Sequence, residues 1–554
     1  MDINRRMRRE RAISARDGLA AAAVIVAVGF LGSRLLGLLR TVAIANSFGT
    51  SPELGAYWVA FRLPDMIFQL LAGATLASAF IPVFSRYFTR QSREEAWRLA
   101  SSVLNLVFVA TAVLALLGLL LAPLLVPLMA PGLGEDSGRQ AELQALAVRL
   151  TRIMLISPLF FSVSGMFMGI SNARHHFLFP ALAPWTYNLS IIVAALVSNS
   201  VEGLAIGVVA GSFIHLAIQL PAVRFIGMVW KPVADWRNPG VREVGRLMLP
   251  RALGLAAAQL NFLVTIFFAS QVSDEAISAV NYAWLIVMMP LGLFGMAIST
   301  AVFPTLAEQA ATDSMDALRR TLAVSLRLIL FLTLPASVGL MILGKPLVTF
   351  LFEHGAFTAS STDVTAAALL FYAIGLFAQG GIEILSRGFY ALSDTRTPVT
   401  FAVVCVVTNL LLCLALVGPF GVRGLGLALS LSAILEFSLL FRALRVRLVG
   451  LEEDRLAGSL IKSASATIVM AEIVGLIVLL LHASGHLNTG SLGDAFLALF
   501  GGSVLGAIAF FGVSSYLGSE EIGVLLRRLP MLHPSAVFAG SSTTESSPET
   551  QGPC

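Results

Sequence analysis

The side chains of this 554-residue chain best placed to do chemistry are charged groups set inside apolar runs. Ser33, Arg34 and Arg40 interrupt the first run. If that run is one helix, Arg34 and Arg40 lie about 9 Å apart along its axis and roughly 120° apart around it, so they border one wide cleft rather than form a tight clamp. Arg34, deeper in the run, reads as lining a polar cavity; Arg40 either shares that cavity or snorkels to an interface. The second run holds Arg62, Pro64, Asp65 and Gln69, where Pro64 kinks a helix and Arg62 and Asp65, at i and i+3, neutralise each other. A later run carries Gln379, Glu383 and Arg387 at successive i,i+4 positions, a polar stripe that either lines a cavity or makes a structural Glu383–Arg387 pair. Glu436 and Glu472 are isolated acids, each a candidate proton or cation site or an acid at a lipid edge.

Soluble-enzyme chemistry finds little support. There is no Walker A sequence, and no Ser, His and acid set stands out. The pair His175-His176 lacks neighbouring thiols or carboxylates and reads as solvated loop, and the three cysteines Cys405, Cys413 and Cys554 have no paired spacing. The expectation is a transporter with no cofactor, no metal and no catalytic residue.

The elements that must position these groups follow from composition. With 57% hydrophobic and 12% charged residues and a mean hydropathy of +0.85, the chain has more apolar surface than a water-soluble protein can hide. The apolar runs are continuous and long enough to cross about 30 Å of hydrocarbon, which predicts an all-α polytopic membrane protein. Fourteen candidate spans fall near 19–45, 55–82, 101–130, 150–171, 178–199, 202–223, 245–270, 277–303, 321–344, 365–391, 398–418, 422–442, 460–482 and 491–516. The segment 131–149 is read as a long outer loop. Arginines cluster in alternate loops, from Arg5 through Arg86, Arg90, Arg174, Arg224, Arg319, Arg320, Arg396 and Arg445 to Arg527 and Arg528. The opposite loops carry Glu53, Glu202, Asp274 and Glu275, so both termini are expected in the cytoplasm. Topology explains these basic residues, and nucleic acid is not an expected partner.

The chain also repeats. A shift of 221 places Asn188-Leu189 on Asn409-Leu410, Val201-Glu202-Gly203-Leu204 on Val422-Arg423-Gly424-Leu425, and Arg224 on Arg445. A shift of 222 places Ala79-Phe80-Ile81-Pro82 on Ala301-Val302-Phe303-Pro304. Six helices separate the copies, so the halves are parallel repeats that can rock about a central cleft. The expected organisation is a basic N-terminus at 1–18, a first lobe at 19–225, a second at 226–447, two added helices within 455–517, and a disordered cytoplasmic tail at 518–554.

The string Gly32-Ser33-Arg34-Leu35-Leu36-Gly37-Leu38-Leu39-Arg40, followed by Ala45-Asn46-Ser47-Phe48-Gly49 and Ala60-Phe61-Arg62-Leu63-Pro64, resembles the start of the MurJ (MviN) lipid II flippases. The resemblance continues through Phe352-Glu353-His354-Gly355-Ala356-Phe357-Thr358 and from Gly388 to Pro398, and covers roughly residues 25 to 445. It implies the fold of the multidrug/oligosaccharidyl-lipid/polysaccharide exporter superfamily. It also implies a central cationic cavity, and transfer of a lipid-linked peptidoglycan precursor from the inner to the outer leaflet of the bacterial plasma membrane. Arg34 and Arg40 match the family's first-helix arginines, whose planar donors suit a pyrophosphate. Ser33, Arg62, Asp65, Gln69, Gln379, Glu383 and Arg387 complete the expected substrate-facing set. Thr41, Phe68, Gln69 and Gly73 stand where the family carries charges, as do Thr265-Ile266 and Trp284-Leu285. These changes imply a weaker hold on pyrophosphate and the loss of a cation-coupling acid. Membrane lipids, a coupling cation and cell-envelope proteins are the remaining partners considered. The alternatives left open are an exporter of another polyprenyl-linked saccharide or a small cation, and a transport-inactive scaffold.

Overall fold

The structure is a computed structural model that describes residues 2–71, 74–134, 137–484 and 492–528, and among these residues it contains helices and no strand. The first half of the chain forms α1 (Asp2–Phe48), α2 (Pro52–Leu71), α3 (Ala74–Arg90), α4 (Arg93–Met129), α5 (Ser137–Met154), α6 (Ser157–Ala173), α7 (Leu178–Val197), α8 (Val201–Ala217) and the short α9 (Leu220–Phe225). The second half forms α10 (Pro239–Ser270), α11 (Ala276–Pro290), a π-helical segment Leu291–Met296, α12 (Ala297–Ala311), α13 (Met315–Phe352), α14 (Ala359–Ile374), α15 (Leu376–Ala391), α16 (Arg396–Phe420) and α17 (Val422–Leu448). Three more helices follow: α18 (Glu453–Ala483), α19 (Leu492–Tyr516) and α20 (Glu520–Arg528).

Every expected span falls on a helix or a pair of helices, and most of them meet the length and composition of a membrane crossing. Among the described residues eleven helices are long and apolar enough to cross a membrane, or twelve if α14 and α15, bent by 45° at Gly375, are one span. The other two, near 55–82 and 245–270, are not counted with them among the described residues. The first falls on α2 and α3, and the second on α10, where Gln259–Ser270 is an apolar stretch among the described residues. The segment 131–149 is not a loop throughout. From Ser137 it is α5, which packs on α2 by burying Leu143, Ala147, Leu150 and Met154, a helical spacing hidden by the charges on its other faces. Of the expected disordered tail at 518–554, Glu520–Arg528 is instead the helix α20, and the part beyond residue 528 lies outside the described residues.

Local chemistry sets the helix ends. Ser92 accepts from the Glu95 amide, with Glu94 and Glu95 in the first turn of α4. Ser200 and Thr358 cap α8 and α14 in the same way. At the other extreme, Pro290 and Gly292 coincide with the π-helical interruption that separates α11 from α12.

Packing follows the repeat. Helix α7 lies against α1 and α8, as α16 lies against α10 and α17; α2 packs on α5 as α11 packs on α14; α4 packs on α6 as α13 packs on α15. Because lipid is as apolar as the side chains, such helices associate through close fit, and small residues allow it. At Gly32, for instance, a Cβ would fall 2.0 Å from the Trp185 ring of α7, whose indole donates to the Gly29 carbonyl at 2.8 Å. Helices α18 and α19 pack on each other and on α13.

Candidate functional site

The two halves are fastened at one end by two segments some 300 residues apart in the chain. The Ala356 amide donates to the Asn46 carbonyl at 2.8 Å, the Thr50 and Ser361 hydroxyls meet at 2.7 Å, and the Tyr282 hydroxyl donates to the Gly49 carbonyl at 2.9 Å. Gly49 and Gly355 both have φ of +58°, and a Cβ on either would approach the opposite segment's backbone to 2.3 Å. Tyr282, Phe352 and Phe357 pack in one buried cluster beneath this seal. The same end holds the ion pairs Arg139–Glu53 and Arg149–Glu202, whereas Arg86–Glu243, Lys231–Glu94 and Arg447–Asp394 lie at the arginine-rich end. Among the described residues, hydrogen bonds from α1 and its following loop to the second half are confined to the sealed end.

Below the seal a cavity of about 510 Å³ opens inside the first half, lined by Ser33, Arg40, Asp65, Phe68, Tyr187 and His215 among others. Arg40 lies within electrostatic reach of Asp65 and the hydroxyls of Tyr57 and Tyr187, and its Nε is buried with no protein partner. A buried N–H donor left unused is costly unless something accepts from it. Asp65 accepts from Gln69 Nε2 at 3.1 Å. His215 is held by the Ser164 hydroxyl, 2.7 Å from its Nδ1, and packs edge-on against Phe161.

Arg34 takes a different direction. It is exposed, its guanidinium sits 5.1 Å from the Phe30 ring centre, and Nη1 would be 4.0 Å from a Cβ on Gly292, so it reaches across from α1 toward the π-segment of the second half. The other side of that segment, through Pro290 and Phe294, lines an apolar groove of about 460 Å³ bounded by α13, α18 and α19.

Arg62 and Asp65 stay within electrostatic reach of each other but make no hydrogen-bonded ion pair. Arg62 crosses to the second half instead, donating to Asn281 Oδ1 at 2.9 Å and lying 4.5 Å from the Phe262 ring centre. There it borders a smaller cavity of about 160 Å³ with Asn261, Thr265, Trp284 and Tyr372. Pro64 and the close fit of α2 against α10 and α11 turn the two charged side chains of this helix toward different halves. The stripe on α15 lines none of the cavities just described. Arg387 donates to Thr300 at 3.1 Å, lies 5.8 Å from the Phe303 ring centre and stands 3.9 Å from Glu383, so that face is turned to α12. Thr265 and Leu285 are present where charges were expected from the resemblance; Thr265 lines the smaller cavity, and Gly73 lies outside the described residues.

Several polar residues at these cavities give no warning in the sequence. Asn261, Asn281, Asn188 and His215 are uncharged and dispersed, and only the repeat, which pairs Asn188 with Asn409, singles any of them out. Asn409 Nδ2 donates to Asn261 Oδ1 at 2.7 Å, joining α16 to α10. Among the described residues no group of three or more His, Cys, Asp or Glu could hold a metal ion.

Comparison with known proteins places this geometry in context. A family model described as "Lipid II flippase MurJ" matches residues 44–500. A probable lipid II flippase MurJ of Bdellovibrio bacteriovorus is 30% identical over 521 residues, covering 92% of this chain and 97% of its own. A protein named lipid II flippase MurJ from Burkholderia cenocepacia is 31% identical over 435 residues, 77% of this chain and 84% of its own. A solved structure of a lipid II flippase MurJ in an inward closed conformation superposes with a TM-score of 0.74 at 25% identity, covering 90% of this chain and all of that one. An inward-facing multidrug transporter of the MATE family shares the fold, with a TM-score of 0.62 at 16% identity over 78% of this chain and 99% of its own.

Proposed function

Since this chain belongs to the MurJ lipid II flippase family, we propose that it is the transporter that moves lipid II from the inner to the outer leaflet of the bacterial inner membrane, with Arg34 and Arg40 engaging the pyrophosphate. The observation that carries this reading is Arg40, with a buried Nε that no protein group satisfies, at the wall of a chamber large enough for part of a head group. Pyrophosphate accepts several hydrogen bonds and carries the charge that a guanidinium inside a bilayer needs beside it.

The rest of the cycle follows from where the halves touch. With Asn46, Thr50, Ala356 and Ser361 fastened, the chamber is closed at the acid-bearing end, and the head group enters from the arginine-rich, cytoplasmic end. Both termini lie on that side by the distribution of arginines. The apolar groove adjoins the π-segment that Arg34 faces, so prenyl tails lie along α13, α18 and α19 while the head group occupies the chamber. Release requires the seal to part and the opposite end to close, a rocking motion of two parallel repeats. Ser33, Asp65 and Gln69 shape the chamber around Arg40, and Arg62 ties the halves together. Gln379, Glu383 and Arg387 steady α15 against α12. No bond of the substrate is made or broken, so the protein acts as a flippase rather than an enzyme.

Complementation tests this directly. In a strain depleted of its own lipid II flippase, the wild-type chain should restore growth and outer-leaflet lipid II, and Arg34→Ala with Arg40→Ala should abolish both at equal membrane abundance. A stable, inserted wild-type chain that does neither would overturn the substrate assignment.

A further inference from the structure

The first half carries an open groove at its arginine-rich end whose counterpart in the second half is filled. This groove has a volume of about 450 Å³ and lies between α4, α6 and α9, walled by Phe108, Val163, Phe167 and Val223, with Arg224 and Trp230 among its polar lining. Asn105 fixes that rim, donating to the carbonyls of Lys231 at 3.0 Å and Val233 at 2.8 Å and accepting from the Trp230 indole at 3.0 Å. Arg224 makes no ion pair among the described residues, and Phe108 and Trp230 stay 39% and 56% exposed, so the groove is apolar, open and capped by one unneutralised cation.

The repeat shows what such a groove accepts. A shift of 222 places Leu104 on Leu326, Asn105 on Arg327 and Thr111 on Thr333, and both threonines donate to the carbonyl four residues back. A shift of 221 places Arg224 on Arg445. In the second half the matching residues Leu326, Leu330 and Leu444 are buried in one cluster with Leu456 of α18, which packs on α13. The cations there are neutralised: Glu453 Oε1 lies 2.6 Å from Arg445, and Glu520 Oε2 lies 3.0 Å from Arg327. An apolar chain plus a carboxylate therefore fills the second groove. Among the described residues α10, which follows the first half as α18 follows the second, packs on α3 and α4 but is not part of the wall of the groove between α4, α6 and α9.

We propose that the groove between α4, α6 and α9 is a binding site for an anionic phospholipid of the adjoining leaflet, its phosphate on Arg224 and one acyl chain along Phe108, Val163 and Phe167. Such a lipid supplies both parts, apolar stem and negative head, that α18 and Glu453 supply in the second half. Trp230, at the rim of the groove, is of a residue type favoured at the head-group level.

Native mass spectrometry of the full-length protein with phosphatidylglycerol or phosphatidylcholine tests the site. Phosphatidylglycerol should be retained in preference. Arg224→Gln should weaken its retention about fivefold, the usual worth of one basic residue toward anionic lipid, and leave phosphatidylcholine unchanged. Arg320→Gln, which removes an exposed arginine elsewhere at the same end, should have no effect. Equal retention of the two lipids, or equal losses in the two variants, would overturn the proposal. A photoreactive residue at position 108 should yield a lipid adduct in cells; an adduct with a protein instead would also overturn it.

Discussion

Arg40 and Arg62 show how two arginines in neighbouring helices come to do different work. Arg62 spends its guanidinium on Asn281 and the Phe262 face, so it is satisfied within the protein. Arg40 keeps a buried donor unused beside a chamber. Replacing Arg40 with Ala should lower lipid II transport at least about tenfold, since a charge-assisted hydrogen bond contributes roughly 1.5–3 kcal/mol. Arg40→Lys should restore it only in part, because an ammonium lacks the two-pronged donor geometry. Asn281→Ala should act on stability instead, leaving Arg62 without its acceptor at a cost of about 1–3 kcal/mol, read as a lower unfolding temperature in detergent. The arginine positions were legible in the sequence because charge inside an apolar run is conspicuous. Their partners were not: Asn281 lies 219 residues from Arg62, and an asparagine in a helix announces nothing. Arg62 and Asp65 keep the electrostatic proximity that their i,i+3 spacing implies, but the hydrogen bond of Arg62 goes to an acceptor on another helix that sequence spacing does not reveal.

At the scale of elements, helix existence was easy to read and helix ends were not. Continuous apolar runs marked α4, α7, α13 and α16 plainly, whereas α5 mixes charge with a narrow apolar stripe and passed for a loop. The bend at Gly375 and the π-segment after Pro290 each interrupt a continuous apolar run, 365–391 and 277–303 respectively. The loop before α16 offers a test of local design. Asp394 accepts from the Arg396 and Thr397 amides and the Thr397 hydroxyl, and it pairs with Arg447. Burial works to raise its pKa, but these donors and the Arg447 charge outweigh it and hold the carboxyl below the ordinary aspartate value of 3.8. Asp394→Ala should therefore cost about 1 kcal/mol at neutral pH, as loss of a helix cap does. Because the folded pKa is depressed, this contribution is complete above the ordinary aspartate value and disappears as pH falls through the folded one. The difference in unfolding temperature between wild type and variant should shrink at acid pH.

For the whole molecule, the decisive arrangement is two parallel repeats joined by a backbone seal at the acid-bearing end, with Arg62–Asn281 and Arg86–Glu243 as further links between them. Both fastening segments, around Asn46–Gly49 and Gly355–Phe357, belong to strings that carried the family resemblance, yet nothing in either string tells that they touch. Their contact became visible only in three dimensions, through two left-handed glycines whose backbones pass too close for any side chain. Gly355→Val should strain the seal and shift the protein toward the opposite opening, raising the labelling of a cysteine at Thr50 by an impermeant thiol reagent from the outer side.

The central claim is that transport requires this seal to part. Thr50→Cys with Ser361→Cys sets two thiols where hydroxyl oxygens now stand 2.7 Å apart, and the measurement is outer-leaflet accessibility of lipid II in flippase-depleted cells expressing that double variant. Oxidation should stop lipid II appearing outside, and reductant should restore it, while either single variant stays active under both conditions. Undiminished lipid II transport with the disulfide fully formed would contradict the account.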